Sequence, residues 1–216
     1  ASVLAKRVLP VLQAMSPAYE EPLARREWLS SIAATAPSLA HALDSALYDL
    51  WGKQSDAPVA SLLGGARRSR IQVTEQVFIH DWETTAAKVA AILGRGTRRI
   101  KVKIGMGCER DALMMRHIRD LVGPDVSLQV DANHAYRDVA QVAALCHHLE
   151  AIGVEAFEEP LAVRDWASLR ALRAETRLPI MLDESILCED DLSQAIAAQA
   201  LDALNIKLAR VGGLTL

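Results

Sequence analysis

Two patterns of apolar residues divide the chain. In the first, apolar positions recur at helical spacing. The clearest segment is PSLAHALDSALYDLWGK (37–53), where Leu39, Leu43, Leu47 and Leu50 return every three or four residues, Ser38 can cap the start and Gly52 can close the end. Pro10, Pro17, Pro22 and Pro37 cut the preceding stretch into shorter helices, because proline lacks a backbone donor and crowds the turn before it. KQSDAPVASLLGGARRSR (53–70) holds Pro58 and Gly64-Gly65 and keeps no period, which reads as a connection. From Ile71 onward the second pattern begins: short β-prone runs alternate with longer amphipathic stretches. Strands are predicted at 71–79, 98–104, 126–132, 154–159, 179–184 and 203–209, with helices at 83–94, 109–121, 137–151, 165–176 and 189–199 between them. Such alternation predicts an α/β fold built of parallel βα units.

Polar residues punctuate the strand ends. Lys103, Asp131, Glu158, Asp183 and Lys207 each sit at or near the C-terminal end of an apolar run, at steps of 28, 27, 25 and 24 residues, about one βα unit each. Parallel strands in register bring all five to one end of a sheet. That is the functional end of a TIM-type (β/α) barrel, and equally the ligand edge of an open doubly wound sheet. No G-x-G-x-x-G follows a strand and no P-loop is present, which weakens the nucleotide-binding version of the open sheet. Six strands fall short of the eight that close a barrel of about 250 residues, so the expectation is a barrel incomplete at its C-terminus. The expected organisation is 1–70 as a mostly helical partial domain with its connection, and 71–216 as the barrel with about six βα units.

Composition excludes more than it assigns. With 24 basic and 27 acidic residues the net charge is -3, which offers no footprint for nucleic acid or an anionic membrane. Half the residues are hydrophobic but only 4% aromatic, so the core is built from Ala, Leu, Val and Ile. No apolar run approaches the roughly 18 residues of a membrane span. The opening ASVLAKRVLPVLQAM has Lys6 and Arg7 inside its apolar stretch and lacks a signal-peptide pattern. Cys108, Cys146 and Cys188 are isolated and odd in number, which points away from a disulfide framework and toward a reducing cytoplasm.

The strand-end residues carry the chemistry. Asp131, Glu158 and Asp183 come from three successive strands, and converging carboxylates repel unless a cation sits among them. Oxygen-only donors suit a hard ion such as Mg²⁺. Alternation turns Glu159 and Glu184 the other way, as supports for the loops. Lys101 and Lys103 share one face of their strand; if that face is the barrel interior, each ammonium disfavours the other's charge, and a lysine depressed to about pH 7–8 can act as a general base. Lys207, in NIKLA, supplies a second amine. Two amines beside a carboxylate-bound cation suit proton removal next to a carboxylate. Strand one offers Thr74, Glu75 and Gln76, and Gly212-Gly213 reads as a tight strand-to-helix turn, with an anion cradle as the alternative.

IKVKIG, VDANHAY, FEEPL, LDES and NIKLARVGGLT, in this order and spacing, resemble the enolase superfamily. Within it they are similar to the mandelate racemase/muconate-lactonising group, and more closely to its muconate-lactonising branch with two lysines. ALDSALYDLWGKQSDAPVASLLGG resembles the end of that family's N-terminal capping domain. The resemblance implies Asp131, Glu158 and Asp183 as Mg²⁺ ligands, Lys103 and Lys207 as the two acid/base groups, Lys101 as a tuning or carboxylate-contacting residue, and Asn133 as a residue that orients the site. It implies an isomerase that removes a proton α to a carboxylate through an enediolate, with racemisation or epimerisation of an amino-acid derivative or dipeptide as first reading. A muconate-type cycloisomerase and a syn-dehydratase of the o-succinylbenzoate synthase kind share the motifs. A non-catalytic truncated barrel serving as a binding or scaffold protein is the reading from another class. The expected partners are a small-molecule carboxylate and further copies of the chain as a homo-oligomer, not nucleic acid or membrane.

Overall fold

A computed structural model describes residues 22–78 and 81–216. The short helices expected around Pro10 and Pro17, and Ile79 at the end of the first expected strand, lie outside the described residues. The chain forms two compact units. One comprises the described residues through Arg67 together with Ile206–Leu216; the other is Arg68–Asn205. The division is therefore not linear in sequence: the last eleven residues join the N-terminal helices.

In the first unit, α1 (Pro22–Ala33), α2 (Pro37–Gln54) and the single turn α3 (Val59–Leu62) follow one another. Leu29, Ile32 and Ala40 form the centre where α1 meets α2. The predicted α2 is present, but its deepest stripe is Ala40, Asp44, Tyr48 and Gly52, while Leu39, Leu43 and Leu47 are only half-buried. Ser38 does not cap α2. Pro37 takes a first-turn position, and the Ser38 hydroxyl donates instead to the carbonyl of Ala209 (3.2 Å).

A buried charge explains the deep stripe. Asp44 is fully buried; its Oδ2 accepts from the backbone N–H groups of Leu214 (2.6 Å) and Thr215 (2.9 Å), and its Oδ1 from the Thr215 hydroxyl (2.6 Å). The Gly212-Gly213 pair is not the expected strand-to-helix turn: Gly212 closes the short helix of residues 208–211, and the chain then leads into the N–H groups that hold the Asp44 carboxylate. Gly213 has φ +131, and a Cβ there would lie 2.5 Å from Asp44 Oδ2. Gly213→Ala is expected to destabilise the protein by about 1–3 kcal/mol through overpacking, read as a lower midpoint of chemical unfolding at unchanged slope.

The second unit alternates strands and helices as predicted: β1 (Glu75–Phe78), α4 (Trp82–Gly94), β2 (Arg99–Lys103), α5 (Cys108–Val122), β3 (Ser127–Asp131), α6 (Val139–Ala151), β4 (Val154–Glu158), α7 (Trp166–Glu175), β5 (Ile180–Leu182), α8 (Glu189–Ala197) and β6 (Ala203–Leu204). The six strands lie in one parallel sheet in the order β1-β2-β3-β4-β5-β6. This is the βα order of a TIM-type barrel and excludes the doubly wound alternative, whose strand order reverses part-way. Asp81, Asp138 and Asp165 cap α4, α6 and α7, each accepting a backbone N–H from the first turn. Ile100, Val102, Leu128 and Val130 are completely buried on one face of β2 and β3. Lys101, Lys103, Gln129 and Asp131 alternate with them onto the other. Away from the strands' C-terminal ends, Arg119 of α5 ties the loops together, donating to the carbonyls of Ile152, Gly123, Val126 and Gly153.

β6 is shorter than predicted. It stops at Leu204, and Lys207 is not in a strand but is the N-cap of a short helix, α9 (Leu208–Val211). The sheet ladder ends where the Asn205 N–H reaches the Leu182 carbonyl (2.8 Å). From there Arg210 and Val211 already donate back to the Lys207 carbonyl. None of the described helices is long and apolar enough to cross a membrane, and Cys108, Cys146 and Cys188 are free thiols.

Candidate active site

Strand register assembles the polar ends. Lys103 of β2 pairs with Asp131 of β3, and Asp131 with Glu158 of β4. The second pairing depends on an irregularity. Leu128 stands opposite Val154, but Val130 stands opposite Phe157, so β4 carries one extra residue. Without that bulge Phe157 would be level with Asp131; the extra residue brings Glu158 there instead. Asp183 follows the end of β5. Asp131, Glu158 and Asp183 are 0%, 3% and 1% exposed.

The lysines contact these carboxylates directly. Lys103 Nζ donates to Asp131 Oδ2 (2.5 Å) and to Asn133 Oδ1 (2.6 Å). Lys101 Nζ donates to Glu158 Oε2 (2.9 Å) and lies 3.2 Å from Asp131 Oδ2. Asn133, at φ +42, donates its backbone N–H to Asp131 Oδ1 (2.9 Å) and its amide to Glu184 Oε1 (3.1 Å). A chain of hydrogen bonds therefore runs from Lys103 through Asn133 to Glu184.

The expected mutual depression of the two lysines is not what governs Lys101. Burial pulls its pKa down, but the hydrogen bond to Glu158 and the charges of Glu158 and Asp131 outweigh it and hold the ammonium above its ordinary value. Burial likewise opposes ionisation of Asp131, yet the hydrogen bonds from Lys103 and the Asn133 N–H, with the charges of both lysines, hold it below the usual carboxylate range. Glu158 goes the other way: burial pushes it up, the hydrogen bonds from Lys101 and Asn205 oppose this without prevailing, and the charge of Asp131 adds to the rise.

Glu159 supports the loop that carries Asp183. At φ +44 it turns out of the strand, and its buried carboxylate accepts from the Asp183 N–H (2.8 Å), the Ser185 N–H (3.0 Å) and the Ser185 hydroxyl. The loop after β2 has an anchor that sequence reasoning missed. Fully buried Asp111 uses Oδ2 to accept from the N–H groups of Gly105 (3.0 Å), Met106 (2.9 Å) and Gly107 (3.1 Å) and from the Tyr136 hydroxyl (2.5 Å). One carboxylate thereby joins the loop following Lys103 to the loop following Asn133. An acidic residue in the first helical turn after G-x-G was the available signal. A pocket of about 350 Å³ is lined by Lys101, Glu158 and Asn205 together with Thr74, Gln76, Gln129, Met181 and Leu204. Glu75, from the same strand, instead pairs with Arg95 and Thr97.

Among the described residues no group of three His, Cys, Asp or Glu side chains closes on a single point. The Lys101 ammonium stands between Asp131 and Glu158 instead. Lys207 belongs to the other compact unit, two residues beyond Asn205.

Residues 84–216 match the enolase C-terminal domain-like family. The chain belongs to this family. The mandelate racemase/muconate-lactonising group that the motifs resemble is represented among its relatives and structural neighbours. The N-succinyl-L-Arg/Lys racemase of Bacillus cereus is 30% identical over 178 residues, which are 82% of this chain and 48% of that protein. The crystal structure of a dipeptide epimerase from Cytophaga hutchinsonii, complexed with Mg and the dipeptide D-Ala-L-Val, matches with a TM-score of 0.83 at 30% identity, covering 90% of this chain and 53% of the other. That of muconate cycloisomerase from Pseudomonas fluorescens gives 0.87 at 28% identity, covering 98% and 58%. The chain spans about half the length of the curated enolase-superfamily relatives it matches.

Proposed function

We propose that the protein is a Mg²⁺-dependent enzyme that removes a proton α to a carboxylate, and that its reaction is racemisation or epimerisation of an amino-acid derivative or dipeptide. The observation that carries this reading is the alignment of Lys103, Asp131 and Glu158 at neighbouring strand ends, with the Lys103 ammonium on Asp131 and Asn133. An amine beside buried oxygen donors supports a role in proton transfer.

The residues suit a hard dication. Asp131, Glu158 and Asp183 are buried at or just past the ends of successive strands, and Lys101 already bridges Asp131 and Glu158 as a cation would. Asp131, Glu158 and Asp183 would hold the ion, which when bound would neutralise charge growing on the substrate carboxylate as the α-proton leaves. Lys103 would take or return that proton at Nζ. Lys207, matched to the family's second lysine by its place in NIKLA, is the second acid/base group. Asn133 fixes the direction of Lys103, and Lys101 balances the charge of Glu158 and Asp131. The racemase and the dipeptide epimerase among the relatives support a substrate with an amide-linked α-carbon.

Cycloisomerisation is the second reading, favoured by the muconate cycloisomerase structure that covers 98% of this chain. Chiral chromatography after incubating the full-length protein and Mg²⁺ with N-acyl amino acids, dipeptides and muconate separates the two. Inversion at one α-carbon is the expected result. Lactone from muconate with no inversion of any amino-acid derivative would transfer the assignment to the second reading.

A further inference from the structure

We propose that Asn205 is a positioning residue for Glu158 and thereby sets the affinity of the site for a divalent cation; this rests on the metal reading given above. The two oxygens of Glu158 have different partners. Oε2 accepts from Lys101, whose ammonium also reaches Asp131 Oδ2, so Oε2 is the oxygen turned toward the neighbouring carboxylate. Oε1 accepts from the Asn205 side-chain amide at 2.9 Å. A cation shared by Asp131 and Glu158 would take the Oε2 side and leave the Asn205 bond intact.

The terminal torsion of a glutamate is soft, so a buried carboxylate points where its hydrogen bonds direct it. A donor fixed on one oxygen therefore aims the other. Asn205 is well placed to do this. It is the first residue beyond β6, and its backbone N–H is held by the Leu182 carbonyl (2.8 Å), next to Asp183 in sequence. It links the β4 carboxylate to the end of β5, which carries the third acidic residue. The amide is also uncharged: it orients Glu158 without competing with a cation for the negative charge. Groups that hold a ligand's other atom in this way typically cost 10–100-fold in metal affinity when removed.

The test is Mn²⁺ binding to the full-length protein, followed by electron paramagnetic resonance, in wild type, Asn205→Ala, Asn205→Leu and Glu158→Gln. Both Asn205 variants are expected to raise the Mn²⁺ Kd by about 10–100-fold. The thermal midpoint of the metal-free protein should change little, and turnover should recover at saturating Mg²⁺. A side chain that merely filled space would lower the midpoint and leave Kd alone. If Glu158→Gln loses Mn²⁺ while both Asn205 variants keep the wild-type Kd, the positioning role is overturned and the metal reading survives. If Glu158→Gln itself binds Mn²⁺ as wild type does, the metal reading fails and the role of Asn205 falls with it.

Discussion

Lys103→Ala is expected to suppress α-proton exchange of one substrate enantiomer by about 10²–10⁴-fold, the usual cost of losing a general acid or base, while exchange of the other enantiomer stays measurable. Lys207→Ala is expected to show the opposite selectivity, and neither variant should interconvert the enantiomers. Inversion needs one group to remove the proton and another to return it from the other side, so each lysine of a two-base pair serves one enantiomer. Proton NMR in deuterated water, with each enantiomer supplied separately, reads both exchange rates. Equal loss of exchange for both enantiomers in both variants would favour a one-base reaction with the second lysine as a charge partner. Equal retention would remove both lysines from the proton path. The hydrogen bonds of Lys103 to Asp131 and Asn133 make its direction in the site well determined, so its loss should not be made good by another side chain.

The second large effect is expected at the carboxylates. Asp131→Asn and Glu158→Gln keep side-chain shape and remove one negative charge each from a buried oxygen-donor set. A dication held by carboxylates depends on that charge. Mg²⁺ affinity measured by calorimetry should fall by more than the about 10–100-fold typical of outer positions, and activity should be abolished. Unchanged calorimetric affinity in both variants would contradict the assignment of these residues as ligands.

Much of this arrangement was legible in the sequence because it follows from periodicity. Near-equal steps between Lys103, Asp131, Glu158 and Asp183 reflect repeated βα units, and parallel strands convert those steps into spatial register. What escaped is what depends on local irregularity or on partners far away in the chain. The β4 bulge that selects Glu158 over Phe157 leaves no mark in the apolar pattern, because both a paired and a bulged strand there read as one buried run. NIKLA reads as strand because Ile206, Leu208 and Ala209 are apolar, yet the ladder has ended at Leu204 and the backbone turns into α9. The leucine stripe of α2 identified the helix but not its deepest face, since that face is set by Asp44 meeting Leu214 and Thr215, some 170 residues later. Asp111 with Tyr136 and Asn205 with Glu158 are likewise pairs that only the fold brings together. K-x-K correctly implied two lysines on one face, but the charge of Lys101 is governed by Glu158 and Asp131 rather than by its neighbour.

The most direct test of the account is deuterium uptake at the α-carbon. The full-length protein is incubated in deuterated water with N-acyl amino acids and dipeptides, in Mg²⁺ and then in chelator. Uptake is expected at the carbon adjacent to the carboxylate, stopped by the chelator and restored by added Mg²⁺. Uptake that continues undiminished after the metal is removed, or no uptake on any of these substrates alongside full turnover of another class of compound, would contradict it.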